Sequence, residues 1–265
     1  MNKIIIVGSG ARECAILMKL KQSSNEKQYE FITIGNILNP YMFKQSNFIF
    51  VEDYSLDSIK QLNVFRNDVF MVIIGAEAPI VAGLEDELRS MNIFTLAPCK
   101  LSSIIESSKI FTRELLDTNN ILKNVNLMFG DLKQELGNNI TKESIVDSIL
   151  KFRIFTSSNV VIKKDGLCGG KGVFVEDDHF TITSRQDFIY SDLIEDLYNY
   201  LIQDDNNILL EQKVDGQEFS LMSLVDQNEN LVHFDPVFDY KRLEDGDKGP
   251  NTGSMGAVLL DYESQ

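Results

Sequence analysis

The sequence has no C-x-x-C pair. Its three cysteines, Cys14, Cys99 and Cys168, stand far apart, so neither a zinc site nor a disulfide framework is indicated, and a reducing compartment suits the count. Long hydrophobic runs are also missing. The opening MNKIIIVGSG carries only four consecutive apolar residues before Gly8. That is too short for a signal-peptide core and far too short to span a bilayer. It predicts a cytoplasmic protein with no membrane contact, and it makes Lys3 to Val7 a buried first strand. Basic residues are in the minority: 25 Lys and Arg against 40 Asp and Glu give a formal net charge of −15, which argues against nucleic acid as a partner. Small phosphorylated ligands stay open, because a few lysines in one cleft outweigh a distant acidic surface screened by salt. Internal repeats, low-complexity tracts and proline-rich linkers are absent.

What is present is enough for a sizeable core. With 265 residues, 43% of them hydrophobic, length favours two domains or one large one. Short apolar runs at Lys3 to Val7, Glu30 to Ile34, Phe48 to Val51, Val69 to Ile74 and Ile93 to Leu96 alternate with helical spacing at Arg12 to Leu20, Ser55 to Leu62, Pro79 to Met91 and Leu101 to Leu116. This alternation predicts a parallel sheet covered on both faces, over residues 1–118. From 119 to 265 the pattern changes to α+β. Helices are expected at Ser144 to Phe152 and Leu193 to Ile202, with strands at Val160 to Lys163, Gly172 to Val175, Ile208 to Glu211, Phe219 to Val225 and Leu231 to Phe238. Asp226 to Asn230 is a hairpin signal, and QDDNN, Gln203 to Asn207, is the most polar break.

Two glycine loops carry the chemical interest. VGSGARECA follows the first strand and opens a helix, where free N–H groups favour an anion. A dinucleotide site would want an acid at the end of the second strand, but Gly35 and Asn36 stand there, which reads against NAD. A plain tight turn and a phosphate or sugar contact through Arg12 and Glu13 both remain compatible. Glu77, in IGAEAPIVAG, is expected at the carboxyl edge of the same sheet, where ligands of open α/β sheets gather. The second loop lies in VVIKKDGLCGGKGVFVED and is not a P-loop. Asp165 occupies the place of the first glycine, Gly172 that of the Ser or Thr, and the loop joins two strands. Such a hairpin can be a flexible surface feature, or a flap that lays backbone N–H groups over phosphates while Lys163 and Lys171 supply charge. Downstream, LLEQKVDGQEFS reads as a connector able to meet an adenine edge and ribose hydroxyls.

Taken in order between Ile6 and Ala257, VGSGARECA, GAEAPIVAGL, ESSKIFTRELL, VVIKKDGLCGGKGV, LLEQKVDGQEFS and FDYKRLEDGDKGPNTGSMGA resemble the glycinamide ribonucleotide synthetase, or phosphoribosylamine–glycine ligase, family of the ATP-grasp superfamily. The resemblance implies a Rossmann-like N-terminal domain with a parallel sheet (α/β), followed by an α+β ATP-grasp module. Its small lobe would span about residues 119–204 and its large lobe would start at about 205–265. The implied reaction joins glycine to 5-phosphoribosylamine in purine biosynthesis, with ATP as substrate and Mg2+ expected. Gly8, Gly10, Arg12 and Glu13 match the family's ribose-phosphate loop, and Glu77 and Pro79 a second substrate loop. Lys109 and Lys163 match the lysines that reach ATP phosphates, and Gly166, Gly170, Lys171 and Gly172 the flap. Glu211 and Val214 match the adenine hinge, and Glu218 the ribose carboxylate. Asp239, Lys241 and Arg242 match a catalytic segment near the transferred phosphate. Asn251, Thr252, Gly253, Met255 and Gly256 match a loop where the substrates meet.

Several positions depart from the family pattern. Ala11 stands for a glycine, Cys14 for a histidine, Cys168 and Gly169 for alanines, Gln212 for a glutamate, Tyr240 for a histidine, Lys248 for a threonine and Ser254 for a glycine. The family's magnesium-holding Glu and Asn, in an EFNxRFGDPE segment, have no counterpart in these 265 residues. No metal ligand is therefore assigned, and the module is expected to be C-terminally incomplete. That leaves either an enzyme completed by another chain or a truncated, non-catalytic nucleotide-binding homologue or interaction protein.

Overall fold

The computed structural model describes residues 2–23, 28–122, 127–168, 172–204, 206–226, 228–246 and 248–259. The chain divides into two compact units, Met1–Ser107 and Ser108–Gln265. The division falls before the expected boundary at 118 because the expected helix Leu101 to Leu116 is broken. Ile104–Ser107 and Lys109–Thr118 are separate helices. Ser108 between them is extended, and its hydroxyl accepts from the Phe111 amide at 3.1 Å, the geometry of a helix N-cap.

In the first unit, β1 (Asn2–Val7), β2 (Tyr29–Gly35), β3 (Asn47–Phe50), β4 (Val69–Ile74) and β5 (Thr95–Leu96) form one parallel sheet in the order β3-β2-β1-β4-β5. The run of apolar residues in β1 is explained by the two faces. Ile5 and Val7 pack with Ile32, Ile34, Val72 and Ile74 under Leu84 and Leu88, while Ile4 and Ile6 pack with Phe31 and Ile73 under Leu17 and Met42. Period-two alternation thus sends both halves of the run into apolar layers. The expected helix Pro79 to Met91 is two helices, Glu77–Ala82 and Leu84–Ser90, separated by Gly83 in a left-handed conformation. A short helix at Pro40–Gln45 was not expected; the Asn39 side chain accepts from the amides of Tyr41 and Met42, and proline occupies its first turn.

In the second unit, β6 (Phe129–Asp131), β7 (Val160–Lys164), β8 (Val173–Val175) and β9 (Ile208–Gln212) form an antiparallel sheet in the order β6-β9-β7-β8. One face carries Val160, Ile162, Ile208 and Leu210. It packs against Ile145, Ile149 and Phe152 of the helix Lys142–Thr156, and Ile194, Leu197 and Leu201 of the helix Asp192–Leu201. A reciprocal cap between Thr141 and Ser144 starts the first of these helices. The alternate residues, Lys163 and Glu211, project from the opposite face.

The rest of the unit is a three-stranded sheet, β10 (Phe219–Ser220), β13 (Val237–Glu244) and β14 (Lys248–Leu259), and a hairpin of β11 (Ser223–Val225) with β12 (Leu231–His233). The hairpin at Asp226 to Asn230 forms as expected, with the Asp226 carboxylate accepting from the Asn230 amide at 2.9 Å. Two corrections apply. Phe219 to Val225 and Leu231 to Phe238 are each interrupted rather than continuous strands. The segment expected as a substrate loop, Asn251 to Gly256, belongs to β14, where backbone pairing with β13 persists through two register shifts. Among the described residues no helix is long and apolar enough to cross a membrane.

Candidate active site

In the first unit the strand order reverses between β1 and β4, so the carboxyl ends of these strands bound a crevice at the sheet edge. Glu13 is buried there. Its Oε2 accepts from the Gly10 amide at 2.7 Å, so that amide is committed to Glu13 rather than free for an anion. Gly8 has φ +122, and a Cβ on it would lie 2.7 Å from Glu13 Cγ. A side chain at that position is excluded both by conformation and by space. Gly75, after β4, is tied to Val7 by an N–H···O bond of 2.9 Å. Arg12 spans the crevice, its Nη1 3.4 Å from the Gly75 carbonyl and its Nη2 3.4 Å from Glu77 Oε1. Its side chain remains 66% exposed, so further guanidinium N–H groups face outward. Pro79 is buried in the helix that Glu77 begins. The structure therefore gathers Gly8, Gly10, Arg12, Glu13 and Glu77 at one edge. Ser9 and Asn39 were missed from sequence; the Asn39 Nδ2 donates to the Ser9 carbonyl at 3.3 Å and braces the loop.

In the second unit, Glu211 is 3% exposed. Its Oε1 pairs with Arg113 Nε and its Oε2 with Lys163 Nζ. Burial alone would raise the pKa of this carboxyl, but Lys163 and Arg113 outweigh it and hold the group below its ordinary range. Arg113 lies one turn after Lys109 on the helix Lys109–Thr118. The Lys109 ammonium donates to the carbonyls of Lys164 at 3.0 Å and Gly166 at 2.7 Å. Asp165, between those carbonyls, accepts through Oδ1 from the Lys109 amide at 2.5 Å and through Oδ2 from the Ser108 hydroxyl at 2.9 Å. Arg113, Lys163 and Glu211 thus meet on the sheet face away from the helical core, with Lys109 one turn before Arg113 on the helix. Lys164 turns the other way, with Nζ 2.8 Å from Asp196 and 4.8 Å from the Tyr200 ring centroid. Neither Arg113 nor Asp165 was identified as a site residue from sequence.

The neck of the glycine hairpin is narrow. The Lys164 amide donates to the Gly172 carbonyl at 2.8 Å, and a Cβ on Gly172 would lie 2.7 Å from Cys168 Cβ. Gly166 has φ +90. Gly170 and Lys171, expected in the flap, lie outside the described residues. Val214 is 68% exposed.

A further polar group lies on β13 and β14. Lys241 pairs with Glu218 and lies 3.7 Å from Asp239 Oδ2. Burial acts to lower its pKa, but Glu218 and then Asp239 outweigh this and raise it. The Ser254 hydroxyl donates to Asp239 Oδ1 at 2.8 Å, and the Thr252 hydroxyl to the Lys241 carbonyl at 2.8 Å. Arg242 donates to Asp178 Oδ2 and to the Gly249 carbonyl, each at 2.8 Å. Asn251 sits opposite Arg242 in the strand pairing. Gly253 and Gly256 have open space where a side chain would begin, and Met255 is exposed. Among the described residues no group of three or more His, Cys, Asp or Glu is arranged to hold a metal ion.

A parallel-sheet unit is followed by an antiparallel sheet that carries Lys163, and comparison with known proteins places the second unit in the ATP-grasp class. Residues 107–261 match the phosphoribosylglycinamide synthetase ATP-grasp (A) domain and residues 2–106 match the N domain of the same synthetase. The junction between the two matches falls at the structural division. The chain belongs to the phosphoribosylglycinamide synthetase family. It is 32% identical over 273 residues to the phosphoribosylamine–glycine ligase of Rhodopirellula baltica, covering 98% of this chain and 56% of that one. The crystal structure of phosphoribosylamine–glycine ligase from Thermotoga maritima shares the fold, with a TM-score of 0.62 and 23% identity over 98% of this chain and 56% of that one. So does N5-carboxyaminoimidazole synthetase from Staphylococcus aureus complexed with ADP, with a TM-score of 0.56 and 12% identity over 91% of this chain and 55% of that one. The chain spans about half the length of the curated relatives it matches.

Proposed function

We propose that this chain provides the ATP-binding and substrate-binding part of an enzyme that ligates glycine to 5-phosphoribosylamine. The observation that carries the proposal is the pairing of Arg113 and Lys163 with the carboxylate of Glu211 on the sheet face away from the helical core, with Lys109 one turn before Arg113. With Asp165 on the Lys109 amide counted, three cations stand against two carboxylates, and the remaining positive charge suits a polyphosphate.

In this reading the γ- and β-phosphates lie against Lys109 and Lys163, under the hairpin that contains Gly166, Gly170, Lys171 and Gly172. The adenine edge meets the backbone between Glu211 and Val214, and Glu218 accepts from the ribose hydroxyls. The phosphate of 5-phosphoribosylamine meets Arg12 and the loop of Gly8 and Gly10, with Glu77 and Pro79 opposite. Asp239, Lys241, Arg242 and the segment with Asn251, Thr252, Gly253, Met255 and Gly256 surround the reacting groups.

A carboxylate has no good leaving group, so its activation comes first. A glycine carboxylate oxygen attacks the γ-phosphorus, the bond to the β-bridging oxygen breaks, and ADP departs with the electron pair. The amine of phosphoribosylamine then adds to the acyl carbon, loses a proton and expels phosphate, leaving the amide. The protein's work is positioning and neutralisation of negative charge, through Lys109, Lys163, Lys241 and Arg242. The experiment is release of ADP and phosphate by the full chain given ATP, magnesium, glycine and phosphoribosylamine. Release that requires both glycine and the amine supports the proposal. ATP hydrolysis indifferent to both, or a chain that binds neither ATP nor glycine, contradicts it.

A further inference from the structure

We infer that Arg113 is a positioning residue whose contact with Glu211 lets Lys163 leave that carboxylate for the phosphates of a bound nucleotide. This rests on the proposal that ATP binds at the sheet face that carries Lys163.

Each oxygen of Glu211 has its own cation, Arg113 on Oε1 and Lys163 on Oε2, and the carboxylate is almost fully buried. If Lys163 were the only partner, drawing its ammonium toward a phosphate would strand a bare buried anion, a strongly unfavourable outcome. Arg113 removes that obstacle by staying. Its guanidinium is a planar fork, and it stands on a helix whose first turn is fixed by Asp165 and Ser108. Lys163 is a compact charge on a flexible stem, held from β7 at the edge of the hairpin. The pair therefore divides into a fixed partner and a transferable one. Lys164 shows the contrast: its ammonium meets Asp196 and the Tyr200 ring on the other side of the sheet.

The experiment is ATP titration of the full chain by calorimetry, comparing wild type with Arg113→Met, Arg113→Lys and the double variant Arg113→Met/Glu211→Gln. Circular dichroism checks that each is folded. Arg113→Met is expected to bind ATP about tenfold more weakly or worse, because Lys163 is then trapped on Glu211. Arg113→Lys should recover part of the loss. The double variant should also recover part of it, since the neutral amide no longer holds Lys163; damage to packing alone would leave the double variant no better than the single. Should Arg113→Met fail to fold, Arg113→Lys must still weaken binding and adding Glu211→Gln must reverse that loss. Wild-type affinity in Arg113→Met, or a double variant weaker than the single, overturns the inference. A wild-type chain that binds no ATP overturns the reading of the site, and the inference with it.

Discussion

Lys109 is tied to the turn at Asp165 through both its backbone amide and its side chain. The Asp165 carboxylate accepts from the Lys109 backbone amide at 2.5 Å, and the Lys109 ammonium grips the carbonyls of Lys164 and Gly166 on either side of Asp165. The carboxylate satisfies amides at a helix start and lies at the positive end of the helix dipole. The ammonium has three N–H donors, and two are engaged by these carbonyls. Among the described residues no acceptor engages the third. A turn in the hairpin and the start of a distant helix are thereby fixed as one object.

Replacing Asp165 with alanine should therefore act as loss of a helix cap, destabilising the chain by about 1–2 kcal/mol. Urea denaturation measures this. Asp165→Asn should cost less, because the amide oxygen still accepts.

Gly8→Ala meets two obstacles, the φ of +122 and the Glu13 side chain 2.7 Å from the new Cβ. The conformational strain alone is about 1–3 kcal/mol, and the clash adds to it. Gly216→Ala is the control, since nothing lies within 4 Å of its added Cβ. That variant should stay within about 0.5 kcal/mol of wild type. Thermal unfolding of the two variants distinguishes these outcomes.

Glu211 gives the stability a pH dependence of known sign. Its folded-state pKa is depressed from 4.5 by Lys163 and Arg113 despite burial. Its contribution is therefore fully present above about pH 4.5 and is lost as pH falls through the lower folded value. Urea midpoints measured from pH 7 down to pH 3 should fall in the acid range, and Glu211→Gln should remove part of that fall.

Ser254 occupies a backbone conformation with φ +137, which favours glycine. Its hydroxyl bonds, to Asp239 and to the carbonyl and amide of Gly256, are all exposed, which puts what they contribute at the low end of about 0.5–1.5 kcal/mol. Strain of about 1–3 kcal/mol outweighs it. Ser254→Gly should consequently stabilise the chain slightly, by about 0.5–1 kcal/mol, read as a raised urea midpoint.

Much of the first unit was legible because a parallel sheet buried on both faces leaves a pure apolar run, as in β1, and such runs have few alternative readings. Helix breaks were harder to read. Gly83 and Ser108 interrupt stretches whose apolar spacing continues unbroken, and only the local caps reveal the ends. The strand β14 was obscured by the glycines and the serine in NTGSMGA, which signal a loop; pairing with β13 overrides them. Individual lysines and glutamates of the candidate site could be proposed from their motifs. Arg113 could not, because its partner Glu211 lies far along the chain, and the only local signal is the spacing of four from Lys109.

The claim that Lys109 and Lys163 share the phosphate-facing side of the sheet, while Lys164 does not, is tested most directly by ATP affinity in three single variants. Lys109→Met and Lys163→Met should each lose about tenfold or more, the scale of a hydrogen bond to a charged group. Lys164→Met should bind as wild type does. Equal losses in all three, or an undiminished affinity in Lys163→Met, would contradict the account.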